Sequence, residues 1–447
     1  MEVVSLRRRW TMVAACLASL GVALVVVVHP AAAAGPADFG DPSADVAFGT
    51  GITFSQPVTI TSAVTRAEIL LGFPGAIGPL SVEVRIPSGS GQTTLRHVHE
   101  ALPGDLTPNT RIEARWRLTE ADGTESTGPA VAALYADDRF TWRTRVDGLM
   151  RLHWYEGDDA FADRALEIAV DGLAAAQSFL GVTETEPVDF FVYGSEDDIY
   201  EALAPDRENV GGQAYPAIRT LFALIAPGEI DDPWVGVVLP HEITHLVFDT
   251  AVENPYGYPP KWLNEGVAVY LSEGYTAAHR ASVEGAADDG TLIPLDGLVG
   301  QFPTTFDRFG LAYSESVSAI DYLARTHGEL ALNRLIASYG EGVGDEEAFR
   351  TAIGIEPLAF DAAWRVELGA GEPVVHGPRP GEPGPAPEGW GVVTDQGGSG
   401  VPEGAENRPA AVSSQGIALI VASAALALAV VGGLAIRLRR SPSGRVA

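Results

Sequence analysis

Apolar residues recur at every second position through much of residues 40–137. Ala67, Ile69, Leu71 and Phe73 make one such set, Val82, Val84 and Ile86 a second, and Ile112, Ala114, Trp116 and Leu118 a third. A period of two puts each set on one face of a strand. Asp122-Gly123 supplies a hairpin-type turn after the third set. Several short strands with turn signals in about 100 residues predict a small β-sandwich at 40–137. His97 and His99 share one side of such a strand, and a lone pair of this kind reads as a polar strand face, not a metal site.

After Asp137-Asp138 the texture changes. Arg139 to Tyr155 predicts two strands around Asp147-Gly148. Phe161, Ala165, Ile168, Gly172, Ala176 and Leu180 then recur at helical spacing, and Gly181 supplies a stop. Val188–Tyr193 is a strand, and Ser195 with Asp198 caps the start of a helix. Gln213–Tyr215 and Arg219–Ile225 are further strands. From about 262 to 367 the pattern is mostly helical, including Glu315–His327 and Glu329–Tyr339. The expected fold class is α+β: the sandwich, then a domain at 138–367 with a mixed sheet, active-site helices and a helical C-terminal lobe. Residues 368–415, rich in Pro, Gly, Glu and Ala, have little to bury and read as a disordered stalk.

The two ends suggest a compartment. Arg7, Arg8 and Arg9, an apolar run to Val28 and small residues at 31–34 make 1–34 a secretory signal. Residues 417–436 are twenty uncharged, mostly apolar residues, about the length that crosses ~30 Å of hydrocarbon as a helix. Arg437, Arg439, Arg440 and Arg445 follow, so 437–447 is expected to be a cytoplasmic tail. The expected product is a single-pass protein of the cell membrane with its bulk outside. Cys16, the only cysteine, lies within the signal, which leaves no disulfide and no thiolate ligand in the remainder. The net charge is −30. Setting aside the signal (three Arg, one Glu) and the four tail Arg leaves −36, a surface that repels nucleic acid and anionic lipid. Of 29 basic residues only Lys261 is Lys, a bias of high-GC bacterial composition.

One stretch names a chemistry. His241-Glu242-Ile243-Thr244-His245 is an H-E-x-x-H zinc signature. On a helix, positions i and i+4 share a face. Both imidazoles can then reach one metal ion, with Glu242 beside a water on it. Pro240 is expected at the first helical position, where its missing N–H is not needed. A zinc hydrolase needs a third protein ligand and an open position. Trp262-Leu263-Asn264-Glu265-Gly266 offers Glu265 on a second apolar helix, with nineteen residues between it and His245.

The combination HEITH…WLNEG resembles the gluzincin metallopeptidases, which include thermolysin and the M1 aminopeptidases, and is most similar to the bacterial peptidase MA-like group. The likeness covers about 138–367. It implies His241, His245 and Glu265 as ligands of one Zn2+ and Glu242 as general base. It also implies a Tyr or His donor for the developing oxyanion, for which Tyr313, read as opening a helix in the second lobe, is the first candidate and His279 and His327 the runners-up. The Gly-Ala-Met-Glu-Asn exopeptidase motif of the M1 type is absent. Gly211-Gly212-Gln213-Ala214 stands near its place without the acidic residue, which favours an endopeptidase. Val269 stands where thermolysin has an Asp after its glutamate ligand, so the groups that orient the imidazoles are open. Arg219–Ile225 is expected to offer the sheet edge on which a peptide substrate is laid. The competing class is a surface binding or adhesion protein with a catalytically silent zinc lobe.

Overall fold

The computed structural model describes residues 37–86, 90–204, 211–254 and 257–372. The expected signal, the 417–436 span, the tail and nearly all of the stalk lie outside the described residues. Among the described residues no helix is long and apolar enough to cross a membrane.

Nine strands come first: β1 (Ala37–Phe39), β2 (Ser43–Ala47), β3 (Gly51–Ile60), β4 (Val64–Gly72), β5 (Leu80–Glu83), β6 (Gly91–Glu100), β7 (Thr110–Glu120), β8 (Glu125–Thr127) and β9 (Val131–Tyr135). They form two antiparallel sheets, one centred on β3 with β1, β2 and β6, the other on β7 with β4, β5, β8 and β9. The period-two sets explain the packing. Ile112, Ala114, Trp116 and Leu118 of β7 point inward with Ala67, Ile69 and Leu71 of β4, and meet Ile52, Phe54, Val58 and Leu95 from the other sheet. His97 and His99 lie on one face of β6 with rings 6.5 Å apart, His99 against Phe73.

The next elements are β10 (Arg143–Asp147), β11 (Met150–Trp154), α1 (Asp159–Leu180), β12 (Val188–Tyr193), α2 (Glu196–Leu203), β13 (Gly212–Tyr215) and β14 (Thr220–Leu224). The five strands form one sheet in the order β10-β11-β12-β14-β13, with β11, β12 and β14 parallel and both edges antiparallel. Asp158 and Ser195 cap α1 and α2, and Gly181 ends α1 in the left-handed region. One face of the sheet presents Leu152, Phe190 and Leu221 to the helices; the other presents Tyr193 and Phe222 to α2. Asn109, in the left-handed region at φ 67°, joins the sandwich to this sheet by donating to Asp189 at 3.1 Å and Thr220 at 2.9 Å.

The edge expectation is corrected here. β14, which contains most of Arg219–Ile225, is interior, held between β12 and β13. A 3-10 turn at Pro216–Ile218, with Arg219 left-handed at φ 51°, folds β13 back along the outside of β14. Among the described residues the edge strand on this side of the sheet is therefore β13.

Seven α-helices complete the described residues: α3 (Val235–Ala251), α4 (Lys261–Ser272), α5 (Ala277–Asp288), α6 (Phe306–His327), α7 (Glu329–Gly340), α8 (Asp345–Ile353) and α9 (Pro357–Glu367). Two expectations about helix starts fail. Pro240 is inside α3, because Val235, Val238 and Leu239 are buried and carry the helix upstream of it. The proline sits where α1 presents Gly172, at which an added Cβ would be 3.2 Å from Pro240 Cα. Likewise α6 begins at Phe306, so Tyr313 lies well within it. Phe309, Ala312, Tyr313, Val317 and Ile320 are buried at helical spacing and extend the element toward its N-terminus.

Gly266 of α4 is where α6 approaches: a Cβ there would lie 2.7 Å from both Ser316 O and Ile320 Cγ1. Glu315, also on α6, accepts from the Ile293 N–H at 3.0 Å, and Asp361 of α9 accepts from Leu295 at 3.2 Å. These two buried carboxyls tie the 293–295 segment to the helices. Burial raises the Glu315 pKa to about 8, against the smaller opposing effect of the Ile293 N–H. A carboxyl raised in the folded state keeps its proton where the unfolded chain has lost it, so stability falls as pH rises from the ordinary carboxylate range to about 8. Wild-type protein is therefore expected to lose Tm relative to Glu315→Gln between pH 5 and pH 8; a Tm difference that stays flat across that range contradicts the assignment.

Candidate metal centre

From residue 241 to 248 every position of α3 is buried. His241 and His245 project from one face, one turn apart, toward α4. Glu265 projects back from α4, and its carboxylate is buried too. The Nε2 atoms of the two histidines are 3.1 Å apart, and Glu265 Oε2 is 3.5 Å from each. Ligands at roughly 2.0–2.1 Å around a tetrahedral zinc stand roughly 3.3–3.4 Å from one another, so this triangle has the right size. Glu265 Oε2 is in no hydrogen bond of normal geometry. These three residues are the cluster of potential metal ligands found among the described residues.

Asn264 supplies an orienting group that sequence reasoning missed. Its Oδ1 lies 2.9 Å from His245 Nδ1, and its amide nitrogen donates to the Tyr258 hydroxyl at 3.2 Å. The amide thus presents its oxygen, His245 carries its proton on Nδ1, and the lone pair of Nε2 faces the triangle. The clue was an amide beside the candidate ligand in W-L-N-E-G.

The electrostatics fit a site that expects a cation. Burial pushes His245 down to about 4, so its ring is neutral. His241 is also pushed down by burial, but hydrogen bonding to Glu265 and the Glu242 and Glu265 charges outweigh this and raise it. Glu265 is raised by burial and lowered further by His245, His241 and Lys261, with a net fall. Two imidazole nitrogens at 3.1 Å cannot both hold protons; a single metal ion satisfies all three ligand atoms at once.

Glu242 is beside this triangle, buried, with neither carboxylate oxygen in a hydrogen bond of normal geometry. Burial raises it to about 8, partly opposed by His241 and by the nearby Ala214 N–H of β13. β13 passes close because residue 212 is Gly: a Cβ there would meet Glu242 Cγ at 2.8 Å. Sequence alone gives no sign that this glycine serves Glu242. Tyr313 also lies against the triangle. Its ring centroid is 6.5 Å from that of His241, its hydroxyl is hydrogen-bonded to Glu265, and burial raises its pKa. The structure does not bring the runner-up histidines to the triangle. His279 caps α5 and lies 3.4 Å from Glu273, and His327 is in the last turn of α6.

Comparison with known proteins agrees with this chemistry. The family model described as the Peptidase MA superfamily matches residues 168–370. No curated protein matches the chain. Among solved structures, an M1 zinc metallopeptidase from Deinococcus radiodurans aligns with 78% of this chain and 97% of its own at 14% identity and a TM-score of 0.36. An aminopeptidase N family protein from Idiomarina loihiensis aligns with 72% of this chain and 71% of its own at 12% identity and a TM-score of 0.35. Overlaps this loose carry no argument about activity. The match to the Peptidase MA superfamily model covers every residue of the ligand triangle and Glu242, and with the triangle it marks the chain as a zinc metallopeptidase of gluzincin type.

Proposed function

We propose that this chain is a membrane-anchored extracellular zinc endopeptidase that holds one ion on His241, His245 and Glu265. The observation that carries the peptidase reading is Glu242. It is a buried carboxyl with no hydrogen bond of normal geometry, its affinity for a proton raised toward neutrality, directly beside the ligand triangle. When bound there, zinc supplies a Lewis acid and brings the pKa of a water near neutrality. Glu242 takes the proton of the attacking water and passes it to the leaving amine. Gly212 lets β13 approach and fixes the side of the triangle on which Glu242 stands. Tyr313 is the proposed donor to the oxyanion, since its hydroxyl already reaches Glu265.

An extended peptide is proposed to add to β13, the edge strand of the five-stranded sheet nearest Glu242. The residue there that would have to hold a free amino terminus is Gln213. Its Oε1 accepts from the Tyr215 hydroxyl at 2.8 Å, and it carries no charge. An edge without a carboxylate at this point favours cleavage within chains. The secretory signal at 1–34 and the 417–436 span support the placement outside the cell on a membrane anchor.

Casein and a peptide library, incubated with the full-length protein, should be cut, and a chelator should abolish cutting. Glu242→Gln should lose about 10²–10⁴-fold in kcat while still binding zinc; equal cleavage by that variant would sink the mechanism. Peptides with acetylated amino termini should be cut as fast as free ones, and strict dependence on a free amine would reassign the chain as an aminopeptidase. Tyr313→Phe should lower kcat by about 10²–10³-fold with little change in KM. An unchanged kcat would remove Tyr313 from the chemistry.

A further inference from the structure

The chain has 28 Arg and one Lys. That lysine, Lys261, opens α4 one turn before Glu265. Its backbone N–H donates to Val299 O at 2.8 Å, and its side chain is 13% exposed. The ammonium lies over the Phe302 ring, 4.8 Å from the centroid, and 4.0 Å from Glu265 Oε1. Among the described residues no other Lys or Arg forms an ion pair with the ligand triangle.

The two oxygens of Glu265 thus have separate surroundings. Oε2 stands 3.5 Å from both imidazole nitrogens, and Oε1 faces the ammonium. A carboxylate left to itself can turn and offer one oxygen or two to a cation. We infer that Lys261 is a positioning residue for the metal centre: it holds Oε1, so that Glu265 offers Oε2 alone beside His241 and His245. This rests on the metal-centre reading above.

The identity of the residue supports the role. Arg carries a planar fork that takes a carboxylate by both oxygens, which here would draw Oε2 away from the metal position. Lys is a point charge on a flexible stem and can engage one oxygen. In a chain that otherwise uses only Arg, the exception stands where a fork would compete with the ion. Packing does not account for it either. An unbranched apolar side chain would fill the space over Phe302 without the cost of burying a charge.

The test compares wild type, Lys261→Met and Lys261→Arg as full-length proteins. Three quantities are read: zinc affinity by chelator competition, Tm of the metal-free protein, and kcat and KM on casein-derived peptides. Lys261→Met should weaken zinc binding by about 10–100-fold, while the metal-free Tm holds or rises. Lys261→Arg should also bind zinc more weakly, because charge without the single-oxygen contact is not enough. Any loss in turnover should fall on kcat and not on KM. Wild-type zinc affinity in either variant, or a loss of affinity matched by collapse of the metal-free Tm, overturns the inference. A wild-type protein that binds no zinc overturns it together with the metal-centre reading, a result distinct from equal zinc affinity in all three.

Discussion

Three buried ligand atoms face one another at 3.1–3.5 Å, and much of the lobe is arranged to keep them there. Two imidazole nitrogens and a carboxylate oxygen cannot be buried without partners at small cost. Holding them requires α3 and α4 to lie side by side at one register. Small residues permit the close approaches. Gly172 admits the Pro240 turn of α3 against α1, and Gly266 admits α6 against α4. The apolar core around the site, with Leu246, Val267, Val317 and Ile320 buried, fixes the helices from behind.

Catalytic chemistry then follows from which element passes in front. β13 runs beside Glu242, and α6 brings the Tyr313 ring to 6.5 Å from that of His241. The parallel strands β11, β12 and β14 anchor the sheet, and its antiparallel edge strand β13 runs next to Glu242, the proposed general base. The sandwich is fastened to the same sheet through Asn109, by way of Asp189 and Thr220, and so is held to the lobe without entering the triangle.

What could be read from sequence was the local part. The i, i+4 spacing of His241 and His245 defines a helix face within five residues, and W-L-N-E-G carries the third candidate ligand with its orienting Asn264 next door. The period-two runs of the sandwich report burial on one face, which is again a local property. Strand order is not local: β14 lies inside the sheet because the chain reverses at Pro216–Arg219, and nothing in residues 219–225 themselves says so. The same holds for the start of α6 and for Pro240. Both depend on what packs against the preceding turn, such as Gly172 across from α3. A glycine that clears space for Glu242 looks in sequence like any other glycine, and Lys261 stood out only as an oddity of composition.

The most direct test of the metal centre is zinc-edge X-ray absorption on the zinc-loaded full-length protein, before and after adding a small hydroxamate. The account predicts two imidazole nitrogens with oxygen neighbours and no sulfur, and a shell that changes on adding hydroxamate because one position is open. A third imidazole, or a shell that hydroxamate leaves untouched, would mark a closed structural site and contradict it.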